Sequence, residues 1–221
     1  ILGATSGNVT AIVTADTAAA LNTALTNATT GTDALTLTIN DTSLTSVSDL
    51  LALDGKTNVA VNASSVNSIS ETIANLNTAY NSAGISGLGN ENISITNTGT
   101  ITAAQINDLL GETSGTITLV GSGNLAITMT SGQTLDLSGI TNSLSGNLTI
   151  EDSTGNENIT GTSVNDTLTL SSGNDTVNLG NGSDVINVTI GNLDISDNIS
   201  DNGVSGTDIL NITNSGIIDS A

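Results

Sequence analysis

The chain has 221 residues, a formal net charge of −20, one basic side chain (Lys56) and no His, Cys or Pro. Without His or Cys it lacks the usual nucleophile systems, thiol chemistry and the common zinc ligands, and with one Lys it lacks the main attraction for nucleic acid. We therefore expect neither an enzyme nor a nucleic-acid partner, since carboxylate pairs alone are left for acid–base work.

The N-terminal region carries an internal repeat with helix-like stretches. Residues 16–28 align without gaps to residues 71–83, and residues 37–57 align to residues 93–113. Between these stretches lie short segments in which Val, Ile and Leu alternate with Thr and Ser, a pattern that favours β-strands. Residues 1–84 are therefore predicted to be a strand–helix repeat region, in which short helices cover one flank of a growing sheet.

Local patterns predict where two of the shorter helices begin and end. Ser46 with Asp49, and Thr102 with Gln105, match the capping box, in which a hydroxyl and a side chain three residues later satisfy free backbone N–H groups. A Gly follows each stretch where a helix end favours a left-handed residue. These glycines are Gly55 and Gly111.

From residue 85 onwards short strands separated by Gly, Ser and Asn dominate, so residues 85–150 are predicted to be a β-solenoid region. Without Phe or Trp the core must consist of small aliphatic side chains, which suits thin stacked layers. The predicted fold is mainly β: a repetitive β-solenoid or parallel β-roll with short covering helices in the N-terminal half. No stretch is apolar for long enough to predict a membrane span. The chain opens with Ile1 and shows no secretory signal, which predicts a piece of a longer protein.

Residues 151–221 contain a run in which an acidic residue recurs every nine positions, each followed two places later by an aliphatic residue. Glycine stands two places before three of the acids. A nine-residue period of this kind is typical of a parallel β-roll. Glycine permits tight turns with converging carbonyls, and calcium prefers carboxylate and carbonyl oxygens. The acids are Glu157, Asp166, Asp175 and Asp184, and the glycines are Gly155, Gly173 and Gly182.

This run resembles the haemolysin-type calcium-binding repeats of the RTX family, whose consensus is G-G-x-G-x-D-x-U-x. The resemblance covers residues 152–188, with a weaker echo at Asp208. It implies that each nonapeptide forms a turn and a short strand, that two nonapeptides complete one coil, and that a less regular cap over residues 191–212 closes the β-roll of residues 151–221. It also implies Ca²⁺ held between stacked turns by the seven residues above and by Asp208.

Two consequences of the resemblance concern the arrangement of the acids. Alternate repeats stack, so Glu157 is expected on the same side as Asp175, and Asp166 on the same side as Asp184. Several positions depart from the consensus: Val164 replaces a Gly, Glu157 replaces an Asp, and the leading Gly-Gly pair is mostly lost. We therefore expect one to three ions or none, and the alternative is an Asn-, Asp- and Gly-rich solenoid whose turns need no metal.

Strand–helix repeats that run into such nonapeptides resemble the large secreted surface proteins of bacteria, of the S-layer or adhesin type. This resemblance implies a structural, self-assembling extracellular protein at the cell surface, an S-layer, sheath or filament subunit stabilised by calcium, whose partners are copies of itself. The alternative is a surface-recognition or adhesion module whose Thr and Asn arrays bind cell-surface glycan or ice. Thr pairs such as Thr36/Thr38 and Thr167/Thr169 motivate it.

Overall fold

The computed structural model describes residues 7–28 and 32–214. Every strand pair within these residues is parallel, and the four helices that they contain all end before residue 111. The predicted fold class, mainly β with a parallel β-roll and short covering helices in the N-terminal half, is confirmed. The chain forms two compact units, Ile1–Ser94 with Gly111–Gly115, and Ile95–Leu110 with Thr116–Ala221. The division into regions 1–84, 85–150 and 151–221 stays a prediction.

The first unit alternates short strands with helices. Strand β1 pairs with β2, β3 with β5, and β4 with β6, while helix α1 packs against α2 and α2 against α3. The elements are β1 (Thr10–Ile12), α1 (Ala18–Ala24), β2 (Ala34–Thr36), β3 (Ser43–Leu44), α2 (Ser48–Asp54), β4 (Val61–Asn62), β5 (Ser68–Glu71), α3 (Ile73–Tyr80), β6 (Ile85–Ser86) and β7 (Asn92–Ile95).

The second unit is a parallel solenoid. A six-stranded sheet has the order β8-β10-β13-β15-β17-β19, a four-stranded sheet has the order β11-β14-β16-β18, and β9 pairs with β12. The elements are β8 (Gly99–Thr102), α4 (Ala103–Leu110), β9 (Ile117–Gly121), β10 (Leu125–Thr128), β11 (Thr134–Asp136), β12 (Ile140–Leu144), β13 (Leu148–Glu151), β14 (Asn158–Thr160), β15 (Thr167–Leu170), β16 (Thr176–Asn178), β17 (Val185–Val188), β18 (Asn198–Ser200) and β19 (Ile209–Ile212).

The predicted repeat places two helices at equivalent positions. Helix α1 lies within residues 16–28 and α3 within residues 71–83, and both are shorter than predicted. Helix α1 begins after Thr17, whose hydroxyl accepts a hydrogen bond from the Ala20 N–H at 3.2 Å. The helices that the structure describes have eight residues at most, and none of them could span a membrane.

One of the two predicted capping boxes is present. At the start of α4, the Thr102 hydroxyl accepts from the Gln105 N–H at 3.2 Å, and the Gln105 side chain accepts from the Thr102 N–H at 3.0 Å. The capping box at Ser46 and Asp49 is wrong, because α2 begins after Val47 without a side-chain cap. The Asp49 carboxylate instead accepts from the Asn22 side chain of α1 at 2.9 Å.

The predicted left-handed residues at the helix ends are also wrong. Gly55 follows α2 with a φ of −65°, which is right-handed, and Gly111 is not among the glycines with positive φ. After both helices the chain continues through turn residues to the next strand, and neither glycine has a left-handed backbone there.

Register keeps the aliphatic residues of the roll in line. Ile150 of β13 pairs with Leu168 of β15, and Leu168 pairs with Ile186 of β17. In the four-stranded sheet Ile159 pairs with Val177. These residues are at most 9% exposed, so the aliphatic residue of each nonapeptide lies in the narrow core. Burial of each such side chain stabilises the fold by about 1.5–3 kcal/mol.

Paired strands in the nonapeptide run lie eighteen residues apart, because Thr167 pairs with Val185 and Asn158 with Thr176. Two nonapeptides therefore complete one coil, as the resemblance implies. Residues 191–212 were expected to form a less regular cap. They contain β18 and β19, which add one more parallel strand to each sheet, so the segment continues the roll.

Candidate metal centre

Each nonapeptide places its acidic residue at the end of a turn, immediately before a strand. Glu157 precedes β14 and Asp175 precedes β16, whereas Asp166 precedes β15 and Asp184 precedes β17. Parallel pairing of β14 with β16, and of β15 with β17, stacks the acids in two rows. We call Glu157, Asp175 and Asp197 row one, and Asp166, Asp184 and Asp208 row two.

Within a row, the second and third carboxylates accept the backbone N–H of the acid one coil earlier. In row one, Asp175 Oδ1 accepts from the Glu157 N–H at 2.9 Å, and Asp197 Oδ1 accepts from the Asp175 N–H at 3.0 Å. In row two, the corresponding distances are 2.8 Å from Asp184 Oδ1 to the Asp166 N–H and 2.9 Å from Asp208 Oδ1 to the Asp184 N–H. Glu157 and Asp175 therefore share one side, and Asp166 and Asp184 share another.

The glycines two places before the acids are required mainly for close approach. A Cβ on Gly173 would overlap the carbonyl oxygen of Gly155 in the preceding coil, and a Cβ on Gly155 would lie 2.6 Å from Glu157 Oε1. Only Gly182 among the three has a positive φ, of 147°. Positive φ therefore explains Gly182 but not Gly155 or Gly173. That their carbonyl oxygens bind calcium stays a prediction.

Three carboxylates of the first coils converge. One oxygen from each of Asp152, Glu157 and Asp175 lies within 4.8 Å of the others. One oxygen of each carboxylate accepts a backbone N–H: Asp152 Oδ2 from Ser171 at 3.0 Å, Glu157 Oε1 from Gly132 at 2.6 Å, and Asp175 Oδ1 from Glu157. We call Asp152, Glu157 and Asp175 the three-carboxylate cluster.

The second oxygen of each carboxylate in this cluster has no hydrogen-bond partner among the described residues. Asp152 Oδ1, Glu157 Oε2 and Asp175 Oδ2 are buried and have no hydrogen-bond partner within the described residues. Glu157 is 2% exposed and Asp175 is 0% exposed. An unsatisfied buried polar group costs about 1–3 kcal/mol, and more when it is charged. A cation among these oxygens removes that cost.

In row two the first acid, Asp166, has different hydrogen-bond partners from those of Glu157 in row one. Asp166 Oδ2 accepts the Thr162 N–H at 2.7 Å, and the Thr162 hydroxyl lies 3.0 Å from Asp166 Oδ1. Both oxygens of Asp166 therefore have partners. Asp184 Oδ1 accepts the Asp166 N–H, but Asp184 Oδ2 is buried without a hydrogen-bond partner in the described part of the chain.

Beyond Asp184 lies a mainly apolar cavity of about 250 Å³, lined by Asp184, Asp201, Asp208 and aliphatic residues. Asp208 accepts the Asp184 N–H with Oδ1, and this bond lowers the pKa of Asp208. The structure therefore places Asp208 next to Asp184, and calcium binding by Asp208 stays a prediction.

Burial raises the pKa of four of these acids. Burial raises the pKa of Asp152 to about 6 and that of Asp166 to about 6. It also raises the pKa of Asp175 and of Asp184, and neighbouring carboxylates add to the effect. Like charges in a poorly solvated site disfavour ionisation, so a cation next to Asp152 and Asp175 would favour their ionised forms.

The residues of the three-carboxylate cluster fit calcium. Calcium takes six to eight oxygen ligands in a flexible geometry, and the cluster offers three buried carboxylate oxygens that nothing else in the described residues satisfies. Asp152, Glu157 and Asp175 would hold the ion, which would offset most of the charge of the cluster and tie successive coils together.

The repeat pattern in the sequence does not predict the roles of two residues in this arrangement. Asp152 stands where the consensus has its first Gly, five places before Glu157, so the nonapeptide pattern gives it no role. Asp197 is followed two places later by Ile199, which is the same acid and aliphatic pattern. Its distance of twenty-two residues from Asp175, instead of eighteen, hides it from the nine-residue period.

Comparison with known proteins supports the assignment of the repeats. The model of the family described as RTX calcium-binding nonapeptide repeat (4 copies) matches residues 152–186. Searches with the chain among curated proteins and among solved structures give no significant match. RTX repeat proteins are typically secreted and extracellular, and the repeats imply Ca²⁺ as the ligand of the turns. Residues 152–186 are accordingly RTX-like nonapeptide repeats.

Proposed function

We propose that the protein is a structural, self-assembling component of an extracellular layer, sheath or filament at the cell surface, and that calcium completes its fold. The role is non-catalytic. The observation that carries the calcium dependence is the three-carboxylate cluster, whose three buried oxygens lack hydrogen-bond partners among the described residues. An ion bound only by the folded state stabilises that state by about 2.7 kcal/mol at a hundredfold excess over Kd.

Sheet edges support the assembly part of the proposal. Among residues 7–28 and 32–214, strand β19 is the terminal strand of the six-stranded sheet, and Ile209 and Leu210 of this strand are 54% and 48% exposed. An exposed strand with apolar side chains is a template for pairing with another chain. Partner copies would supply the missing pairing.

The assembly test measures particle size of the full chain by light scattering and by electron microscopy, in excess calcium and in excess EDTA. We expect ordered particles to grow with calcium and to disperse in EDTA. A variant with Leu210→Lys, which places charge on β19, should bind calcium normally but assemble poorly. Particles that persist unchanged in EDTA would contradict calcium-dependent assembly.

A second candidate function is recognition of a glycan or ice surface, and the register of the six-stranded sheet favours it. Thr102 of β8 pairs with Thr128 of β10, and Thr149 of β13 pairs with Thr167 of β15, so hydroxyls form rows across the strands. Glu151 and Ala126 interrupt these rows. Inhibition of ice recrystallisation or binding on a glycan array, lost in a Thr149→Lys/Thr167→Lys variant, would support this function. Silence of the unmodified protein in both assays would exclude it.

A further inference from the structure

The two rows of acids differ at their first turns, although the nonapeptide pattern treats them alike. In row one the turn is followed by Glu157, which keeps one buried oxygen without a partner among the described residues. In row two the corresponding residue is Asp166, and both of its oxygens are bound. Two turns of the same repeat therefore present different surfaces to a cation.

Thr162 supplies the partners of Asp166. Its N–H lies 2.7 Å from Asp166 Oδ2, and its hydroxyl lies 3.0 Å and 3.1 Å from the two carboxylate oxygens. Asp166 is 1% exposed and Thr162 is 3% exposed, so no solvent competes for these bonds. A carboxylate satisfied in this way has little to gain from a metal ion.

The sequence explains why Asp166 turns towards Thr162. In the other three turns a Gly stands two places before the acid, and the nearer carboxylate oxygen lies against it, 2.6 Å from a Cβ built on Gly155 or on Gly182. Val164 occupies this place before Asp166, so this turn lacks the Gly that the other three have. Asp166 Oδ2 instead lies against Gly161, 2.6 Å from a Cβ built there.

Row one shows the opposite change. Asp152 stands at the first Gly position of its nonapeptide and adds a third carboxylate to the pair that the repeat provides. Its Oδ2 is held by the Ser171 N–H at 3.0 Å, and its Oδ1 is buried without a partner in the described residues. The side chain is thus fixed by one oxygen and open at the other, as a metal ligand should be.

We propose that Asp152 is a calcium ligand that the repeat pattern does not provide, and that Thr162 takes the place of an ion at Asp166. The proposal rests on calcium binding by the roll, as given above. It assigns the ion to the three-carboxylate cluster and makes the turn of residues 161–166 independent of metal. Thr162 is a positioning residue, because it acts by holding Asp166.

The test is calorimetric titration of the full chain with calcium, in parallel with circular dichroism to verify folding. We expect Asp152→Asn to weaken binding about tenfold or more, since a charged ligand is lost, and Asp166→Asn to leave the affinity and the number of ions unchanged. The double variant Thr162→Gly/Val164→Gly should bind one ion more than the unmodified protein. Ser163→Gly, which adds a glycine to the same turn at an exposed position, should bind the unmodified number.

The outcomes separate this inference from the proposed function. An Asp166→Asn variant that loses an ion overturns the inference while calcium binding by the roll stands, and so does an Asp152→Asn variant with unchanged affinity. If the unmodified protein gives no heat with calcium, the proposed function fails and the inference with it. If the double variant does not fold, the comparison of Asp152→Asn with Asp166→Asn still decides the question.

Discussion

Carboxylates in this chain bind backbone N–H groups one coil away, and they do so in both units. Asp41 accepts the Ala18 N–H at the start of α1 at 2.7 Å, and Glu71 accepts the Val47 N–H before α2 at 3.3 Å. Row one and row two repeat the same contact. Hydrogen bonds from backbone N–H groups to a carboxylate are stronger than neutral ones. The acids therefore join successive coils through hydrogen bonds. Some of them also keep a second oxygen that has no hydrogen-bond partner among the described residues and that a cation could bind.

The first prediction concerns Asp175. Asp175→Asn keeps an oxygen to accept the Glu157 N–H but removes a charge from the three-carboxylate cluster. We expect calcium affinity to fall about tenfold or more. In EDTA the variant should be at least as stable as the unmodified protein, because a buried like charge is gone.

Thermal unfolding in EDTA and in calcium, with calorimetry for affinity, measures both effects. The matched control is Asp136→Asn, an exposed acid whose Oδ1 accepts the Ser138 N–H, and it should change neither quantity. Unchanged calcium affinity in Asp175→Asn would refute the role of the cluster.

The second prediction concerns pH. Burial raises the pKa of Asp152 and of Asp166 to about 6, above the ordinary value of 3.8. In the metal-free protein the folded state therefore binds more protons than the unfolded chain between these values. The stability that these two acids contribute is fully present below about pH 4 and is lost as the pH rises through about 6.

Calcium requires the ionised carboxylate of Asp152, so binding releases protons and calcium affinity rises with pH over the same window. Stability curves at pH 4 to 7, in metal-free buffer and in excess calcium, should have slopes of opposite sign. Asp166→Asn should remove the same negative contribution from the slope in both buffers, because Asp166 titrates but binds no ion. Equal slopes in both buffers would contradict the assignment.

The strands of the roll stack because the turns between them approach closely, and glycine permits this approach at selected turns. Gly173 lies directly against the carbonyl of Gly155, whereas a Cβ on Gly111 would meet nothing within 4 Å. Because Gly111 has no positive φ, a side chain there causes no backbone strain. These two glycines thus have different roles.

The third prediction compares alanine at these two positions. Gly173→Ala should destabilise the fold by more than about 2 kcal/mol, since β16 must move away from β14 or the turn must distort. Gly111→Ala should be neutral or should stabilise by up to about 1 kcal/mol, through the lower entropy of the unfolded chain. Chemical denaturation of both variants in calcium measures the free energies of unfolding. A neutral Gly173→Ala would mean that the coils are less tightly stacked than described.

Much of the roll follows from the sequence, because the period fixes it. The acid and the aliphatic two places later must recur every nine residues for Leu168 and Ile186 to align in the core, and this periodicity is visible without a structure. The sequence does not predict the hydrogen-bond partner of a side chain that has more than one donor within reach. Asp49 binds Asn22 instead of capping its own helix, and Asp166 binds Thr162, because a neighbouring coil or turn offers a competing donor.

The whole molecule carries twenty net negative charges and one Lys, whose ammonium donates to the Leu25 carbonyl at 3.2 Å. Self-repulsion of this size destabilises a compact state, and any salt reduces it by screening. General screening and a specific calcium site must therefore be separated. Magnesium provides the separation, because it has the same charge but requires a smaller octahedral site and gives up its water reluctantly.

The most direct test of the central claim is thermal unfolding of the full chain as a function of calcium, with magnesium at equal ionic strength as the reference. A single site in the three-carboxylate cluster predicts stabilisation that grows as RT ln(1 + [Ca]/Kd), by about 1.4 kcal/mol for each tenfold increase above Kd. Magnesium should give only the screening effect. Identical curves for the two ions, or no dependence on calcium, would contradict the claim that calcium bound by Asp152, Glu157 and Asp175 completes the fold.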